Sequence, residues 1–317
     1  MNQEASLLGS AWRVVGRNKR YIFWLWVLNL TLAEFGAAAF RTNLHAILDR
    51  SREADKLLHG FNLITLFELM QRPEMGDASA SRMPAMYFGI LFVAVTLFLM
   101  PGFLRQYTSE YRVSREEFWR TCGRNVWRFM RLVLIYALVA GPVAGILFGI
   151  RGALTSAAAK NTNEVLPFWV GTATLLVIFL IMTMVRGWFD LSEVDIVVRD
   201  QSAVRKSVAT GFRYARLFWW KLLAAYTAIS ISALLVLAAG IWLWHVLVPP
   251  SSVLGAFVIS QLMLILWLSA RMWQRAVAAV FYLREMLIAP GYARSMVADA
   301  TPISGRPIVP VATVPGA

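Results

Sequence analysis

Six apolar runs, at about 21–40, 86–104, 132–150, 168–185, 222–247 and 253–270, constrain this chain more than any other feature. Each approaches the 17–25 residues that a helix needs to cross about 30 Å of hydrocarbon. A spanning segment must satisfy its own backbone, so it is either a helix or part of a closed barrel. The alternating pattern and hairpin turns of a barrel do not recur, which leaves helices. The expected fold is all-α, a polytopic membrane protein with six transmembrane helices. Composition agrees, since 58% of the 317 residues are hydrophobic and 15% are charged, against about 25% charged in a soluble domain. Thirteen Trp and 19 Phe would overfill the surface of a water-soluble globule, and so apolar a chain is not globally disordered.

The net charge of +13 sits between the runs. Twenty-three of the 31 Lys and Arg fall in 1–20, 105–131, 186–221 and 271–317, and eight in the alternate connections. Basic residues collect on the cytoplasmic side, so both termini are expected inside. The first run follows Arg13, Arg17, Lys19 and Arg20 and precedes Ala37–Ala39, like a signal peptide. From Tyr21 to Phe40 it exceeds an ordinary h-region of 7–15 residues, which favours an uncleaved anchor. Tyr21, Trp24, Trp26, Trp188, Trp219 and Trp220 flank the runs as an interfacial belt would.

Three basic segments precede the outgoing runs: SAWRVVGRNKRYIFWLW from Ser10, SREEFWRTCGRNVWRFMRLVLIY from Ser114 and SAVRKSVATGFRYARLFWWKLL from Ser202. Each has a Ser near its start, a Gly before the span (Gly16, Gly123, Gly211) and Arg interleaved with aromatics. Ser114 and Glu117 have capping-box spacing. Such segments suit amphipathic elbow helices in the headgroup layer, and three elbow-plus-hairpin units would form parallel repeats of the kind found in transporters. Similar physics at each span would give the same pattern without duplication. Arg124, Arg128, Arg131, Arg213, Arg216 and Lys221 are then expected to contact lipid headgroups, and anionic lipid is the expected partner. Nucleic acid could use the same residue types, but segments abutting spans meet anionic lipid first.

Ionisable groups inside a membrane are functional candidates by default. Glu34 is the main one within the runs, with Asn29 nearby, Gln261 in the sixth run and His245 at the outer end of the fifth. Their scarcity argues against a proton or ion pathway, and a paired carboxyl near the outer interface is the simpler reading of Glu34. Gly141, Gly145 and Gly149 form a doubled G-x-x-x-G ridge suited to tight helix packing, with Pro142 expected to kink it. Another helix of the same chain is the expected partner, with homodimerisation as the alternative.

The largest outer connection, 41–85, holds a polar stretch from His45 to His59, an apolar stretch at 61–70, and a loop from Pro73 through 81. On the inner side Asp190, Glu193, Asp195 and Asp200 follow the fourth run; a magnesium–phosphate site is conceivable, but pairing with Arg186, Arg199, Arg205 and Lys206 is simpler. RMWQRAVAAVFYLREM continues the last helix past the hydrocarbon, with Arg271, Arg275 and Arg284 outside its apolar stripe. The domain expected over 1–288 gives way to a flexible, Pro/Gly-rich cytoplasmic tail at 289–317.

One cysteine, Cys122, and three histidines, His45, His59 and His245, exclude an internal disulfide and a multi-thiolate metal site. Nucleotide-binding loops and nucleophile elbows are missing from the sequence. No cofactor is expected.

The elbow-plus-hairpin layout, WLWVLNLTLAEF in the first run and SARMWQRAVAAVFYLRE at the end resemble a broad group of bacterial six-helix membrane proteins of uncharacterised activity. That group is similar to the membrane domain found beside some glycerophosphodiester phosphodiesterases. The likeness covers most of 10–288 and implies a bacterial inner-membrane location. No phosphodiesterase catalytic domain accompanies it here, so no enzymatic residue carries over. Two functions stand: a non-catalytic scaffold or accessory subunit binding lipid or a protein partner in the membrane, and a small-solute or lipid transporter. An enzyme acting on lipid headgroups comes third. A transporter needs a polar path toward the midplane, whereas a scaffold needs only a closed apolar bundle.

Overall fold

The structure, a computed structural model, describes residues 6–48, 78–109, 111–160, 165–249 and 252–287. The tail at 289–317, His59 and the stretch at 61–70 lie outside the described residues. The chain forms α1 (Leu7–Arg17), α2 (Arg20–Leu48), α3 (Ala78–Thr108), α4 (Arg115–Ala158), α5 (Leu166–Arg199), α6 (Val204–Leu217), α7 (Trp219–Leu247) and α8 (Val253–Tyr282). A π-helical turn, Leu283–Leu287, follows α8. Six of these helices (α2, α3, α4, α5, α7 and α8) are long and apolar enough to cross a membrane. No strand occurs among the described residues.

The helices outrun the apolar runs. At 44 residues, α4 is about 66 Å long, more than twice the hydrocarbon thickness. Ala78 already begins α3, so the loop expected through 81 ends sooner. Helix α4 continues without interruption through Pro142.

The three basic segments differ in how they join their spans. Between α1 and α2 the chain breaks at Asn18 (φ −114°, ψ 24°), and between α6 and α7 at Phe218 (φ −115°, ψ 27°). These two junctions share one backbone conformation. The Asn18 side-chain amide donates to the Val14 carbonyl at 2.9 Å, satisfying an acceptor that the ending helix leaves free. The second segment has no break and runs directly into α4. Ser114 Oγ accepts from the Glu117 N–H at 3.1 Å, half of a capping box. The Glu117 carboxylate instead takes Arg105 Nε, also at 3.1 Å.

Burial concentrates where these segments gather, at the end of the bundle rich in Lys and Arg. In α8, Ala276 to Tyr282 are seven consecutive residues, each at most 1% exposed. A helix buried all round is a core element, and α8 touches α1, α2, α3, α5 and α7. Small residues at 276, 278 and 279 let these neighbours approach. Around this post lie Met100, Phe103 and Leu104 of α3, Phe129 of α4, Leu191 and Ile196 of α5, and Tyr226 of α7. The opposite halves of α4 and α7 instead expose large apolar side chains such as Leu138, Ile146, Leu234 and Trp242, as helices facing lipid do.

Glycines mark where backbones meet. A Cβ at Gly211 would lie 3.0 Å from the Trp188 carbonyl oxygen and closer still to Ser192 Oγ, so α5 and α6 touch there. Among the described residues its counterparts Gly16 and Gly123 have no atom within 4 Å of a built Cβ, so of the three glycines Gly211 is the one at a close contact. The ridge of Gly141, Gly145 and Gly149 is likewise open: among the described residues nothing lies within 4 Å of a Cβ built at any of them. The expected intrachain packing of this ridge is therefore corrected. Helix α4 meets α3, α5 and α6 without using it, and small residues permit close approach but do not compel it. Replacing Gly211 with Ala is expected to cost about 1–3 kcal/mol through overpacking, read as a lower unfolding midpoint in detergent, whereas Gly145→Leu leaves that midpoint no lower.

Candidate functional site

Helix α5 continues past its apolar run with Arg186, Asp190 and Glu193 at i, i+4 and i+7, one face of a helix. Helix α8 presents Arg271, Gln274 and Arg275 at i, i+3 and i+4. Because the two helices pack together, the faces form a charged seam. Arg186 lies 20 residues from the start of α5 and Arg271 18 from the start of α8. At 1.5 Å per residue these are depths of about 30 and 27 Å, one hydrocarbon thickness. Both guanidiniums thus reach the same level, at the boundary where apolar span gives way to basic end.

Each carboxylate has a distinct set of partners. Asp190, its side chain 7% exposed, lies 3.8 Å from Arg186 Nε and accepts a 2.7 Å hydrogen bond from the Tyr226 hydroxyl of α7. Gln274 Nε2 donates to Ser230 Oγ at 3.1 Å, and Ser230 donates to the Tyr226 carbonyl at 2.9 Å, tying α8 to α7 one turn away. Glu193, 14% exposed, faces Arg275 Nε at 3.7 Å. Asp195 accepts from the Tyr282 hydroxyl at 2.7 Å and pairs with Arg199 at 3.3 Å. Asp200 ends α5 in a left-handed conformation (φ 51°, ψ 36°), which Asp tolerates better than most residues, and it binds Arg124 at 3.2 Å and Arg128 at 2.6 Å.

Two cavities flank the seam. A groove of about 720 Å³ runs between α5, α7 and α8 from Thr172 to Arg186, a length of about 21 Å along α5. Its walls are apolar, with Leu175, Leu176, Phe179, Leu234 and Trp267, all of them partly exposed at the helix surface. A second cavity of about 380 Å³ lies between α3, α4, α5 and α8 and is lined by Arg186, Asp190, Glu193, Arg271 and Arg275 together. Arg186 and Arg271 line both. Arg271 sits 5.1 Å from the Trp267 ring, and among the described residues no carboxylate lies within ion-pair distance of it. The second cavity therefore gathers three guanidiniums against two carboxylates.

The structure rearranges several expected sites. Among the described residues the acids following the fourth run take Arg186 and Arg199 one turn away on α5, Arg275 of α8, and Arg124 and Arg128 of α4, and not Arg205 or Lys206 of α6. Diverted to guanidiniums and phenols, the four do not gather at one site: Asp190 and Glu193 line the second cavity, and Asp195 and Asp200 do not. No group of three metal-ligating side chains occurs among the described residues. Arg275, expected outside the apolar stripe, is 22% exposed and turned into the bundle. Glu34 is exposed and paired with Arg41 on its own helix. Asn29 is half-buried, and His245 is exposed near the end of α7. Gln261 accepts a 2.9 Å hydrogen bond from Trp26 Nε1, joining α8 to α2.

The headgroup-contact set divides. Arg124 and Arg128 are held by Asp200, and Lys221 by Glu285 at 3.1 Å. Arg131, Arg213 and Arg216 are exposed, the first two beside Trp127 and Tyr214. Comparison of the chain with protein-family models, with curated proteins and with solved structures found no match.

Burying a charged hydrogen-bond acceptor is costly once its donor is gone. Removing the Tyr226 hydroxyl in Tyr226→Phe is expected to destabilise the fold by about 1–3 kcal/mol. A double-mutant cycle with Asp190→Asn should give a coupling of at least about 0.5 kcal/mol; strict additivity would mean the hydrogen bond contributes nothing.

Proposed function

We propose that this chain is a non-catalytic integral membrane protein, a scaffold or accessory subunit, that binds anionic lipid at the basic end of its bundle. The observation that carries this reading is Arg271, free of a carboxylate partner among the described residues and set beside Arg186 at the foot of a long apolar groove. An anionic headgroup supplies the counter-charge that the protein does not, through the charge-assisted contacts for which guanidinium is suited. The groove above supplies apolar walls for an acyl chain. A boundary position lets both ends of one amphiphile find their preferred surroundings.

The same reading places the basic end in the cytoplasmic leaflet of a bacterial inner membrane, with both termini inside. The excess of Lys and Arg at that end supports it. Exposed Trp12, Trp119, Trp127 and Trp220 on the basic segments, together with Arg131, Arg213 and Arg216, support their lying in the headgroup layer. A second reading, a transporter of lipid or small solutes, draws on the two cavities that share Arg186 and Arg271. Apolar walls above the arginines favour an acyl chain over a hydrated solute.

Lipid that co-purifies with the full-length protein should be enriched in anionic species over the bulk membrane. Arg271→Gln should reduce that enrichment by about fivefold, the equivalent of about 1 kcal/mol for one basic residue at a charged surface. Bound lipid that matches the bulk in both proteins would overturn the reading. A reporter fused after Ala317 should be active only in the cytoplasm; activity confined to the other side would overturn the orientation.

A further inference from the structure

Helices α5 and α8 run in the same direction, and the polar groups that join them keep one register. Arg275 faces Glu193 at 3.7 Å, and their numbers differ by 82. The Tyr282 hydroxyl donates to Asp195, 87 positions earlier, and accepts from Arg199 Nε at 2.8 Å, 83 positions earlier. Arg186 and Arg271 differ by 85, so they stand as the next rung of the same ladder. That rung lies about two turns nearer the apolar span on α5 and one turn nearer on α8.

The lower rungs set an acid against a donor, whereas the upper one sets like charge against like. Arg186 has Asp190 of its own helix at 3.8 Å, beyond hydrogen-bond reach. The same oxygen of Asp190, Oδ2, already accepts the Tyr226 hydroxyl. Arg271 lies over the Trp267 ring, and its charge is repelled by both Arg186 and Arg275. Among the described residues neither Arg186 nor Arg271 donates a hydrogen bond to the protein, although a guanidinium carries five N–H groups and never loses its charge. Protonation of Glu193 would not relieve the upper rung. The three guanidiniums around the second cavity outnumber its carboxylates whether that side chain is ionised or neutral. Toward the outer end, no hydrogen bond or ion pair joins α5 to α8 among the described residues, and the apolar groove opens between them.

The seam is therefore closed by protein below this rung and left unclosed at it. An anion with several acceptor oxygens, reached by N–H groups from both helices at once, completes it, and phosphate is such an anion. Resting on the lipid-binding reading above, we infer that the phosphate of the bound anionic lipid bridges Arg186 to Arg271 as the missing rung of the α5–α8 seam, so that lipid charge controls how firmly α8 is held against α5. Without the anion, two guanidiniums repel where the groove begins; with it, the repulsion becomes a shared attraction. Free phosphate carries the same oxygens, but the apolar groove directly above the rung assigns the anion to a lipid.

The test uses the full-length protein, delipidated in dodecyl maltoside micelles, which contain no phosphate, and reads the thermal unfolding midpoint. Three additions are compared: dioleoyl phosphatidylglycerol, dioleoylglycerol, which has the same chains without the phosphate, and inorganic phosphate. Phosphatidylglycerol should raise the wild-type midpoint by at least about 2 °C, and each of the others by less than half as much. Without lipid, Arg271→Gln should melt above the wild type, because the like charge is gone, and phosphatidylglycerol should raise it less than half as far. Arg271→Glu places the anion on the protein itself; it should also melt above the wild type without lipid and gain nothing from phosphatidylglycerol. Arg271→Gln melting no higher than the wild type without lipid, or gaining as much from phosphatidylglycerol, overturns the bridge. The broader reading is then still decided by the anionic enrichment of co-purified lipid. Equal shifts from phosphatidylglycerol and dioleoylglycerol also overturn the bridge, and together with unenriched co-purified lipid they overturn both. An equal shift from inorganic phosphate makes the anion a soluble one and overturns its assignment to lipid.

Discussion

The bundle is organised around the problem of holding charge beside hydrocarbon. Guanidiniums at the membrane boundary must be neutralised by carboxylates or by headgroups, since little water is at hand to solvate them. Along the α5–α8 seam the protein does most of this itself, through Asp190, Glu193 and Asp195. Two of those acids also take a tyrosine hydroxyl, which anchors α7 and the end of α8 to α5. Such clusters contribute modestly to net stability because desolvation offsets their attraction. Their effect is to fix register: shifting α8 by one residue against α5 would turn Arg275 from Glu193 and Tyr282 from Asp195.

Around this seam the division of labour along each helix is unusual. The apolar spans expose much of their surface, and the tightly packed core lies at their basic ends and in the continuations beyond them. Association between helices in lipid gains little from hydrophobicity, because the lipid tails are equally apolar. At the basic end, water and headgroups restore the hydrophobic effect, and burial of Phe103, Phe129, Tyr226 and Phe281 again drives association. The Trp188 indole donating to the Val208 carbonyl at 2.8 Å secures α6 to α5 in the same zone. The wider spaces among the spans, the groove included, follow from the weaker drive to close them.

The six spans were legible in the sequence because a membrane imposes length and apolarity on each segment separately. The break at Phe218 and the start of α8 at Val253 fall close to where the hydropathy changes. The charged seam was not legible, because its partners are far apart in the chain: Asp190 and Tyr226 are separated by 36 residues and Asp195 and Tyr282 by 87. Proximity in sequence suggested Arg186, Arg199, Arg205 and Lys206 as partners of the inner-side acids; the first two do pair with Asp190 and Asp195, and the partners on α7 and α8 were out of reach of that argument. One signal was available. RAVAAVFY lacks a polar face over two turns, which is what a helix buried all round requires. The glycine ridge failed for the opposite reason, since its spacing reports an ability to pack and does not name a partner.

Helix α1 is fastened to α8, with Trp273 Nε1 donating to the Leu8 carbonyl at 3.1 Å, Arg284 donating to Ser10 Oγ at 2.6 Å and the Trp12 and Trp273 rings 5.0 Å apart. A ribosome makes α1 more than 240 residues before Trp273. Until α8 is made, α1 lacks these partners, Glu193 lacks Arg275 and Asp195 lacks the Tyr282 hydroxyl. One helix, α8, thus carries both the contacts that hold α1 and the arginine that faces Glu193. The contacts that tie the two ends of the described chain together can therefore form only after the intervening helices have been synthesised.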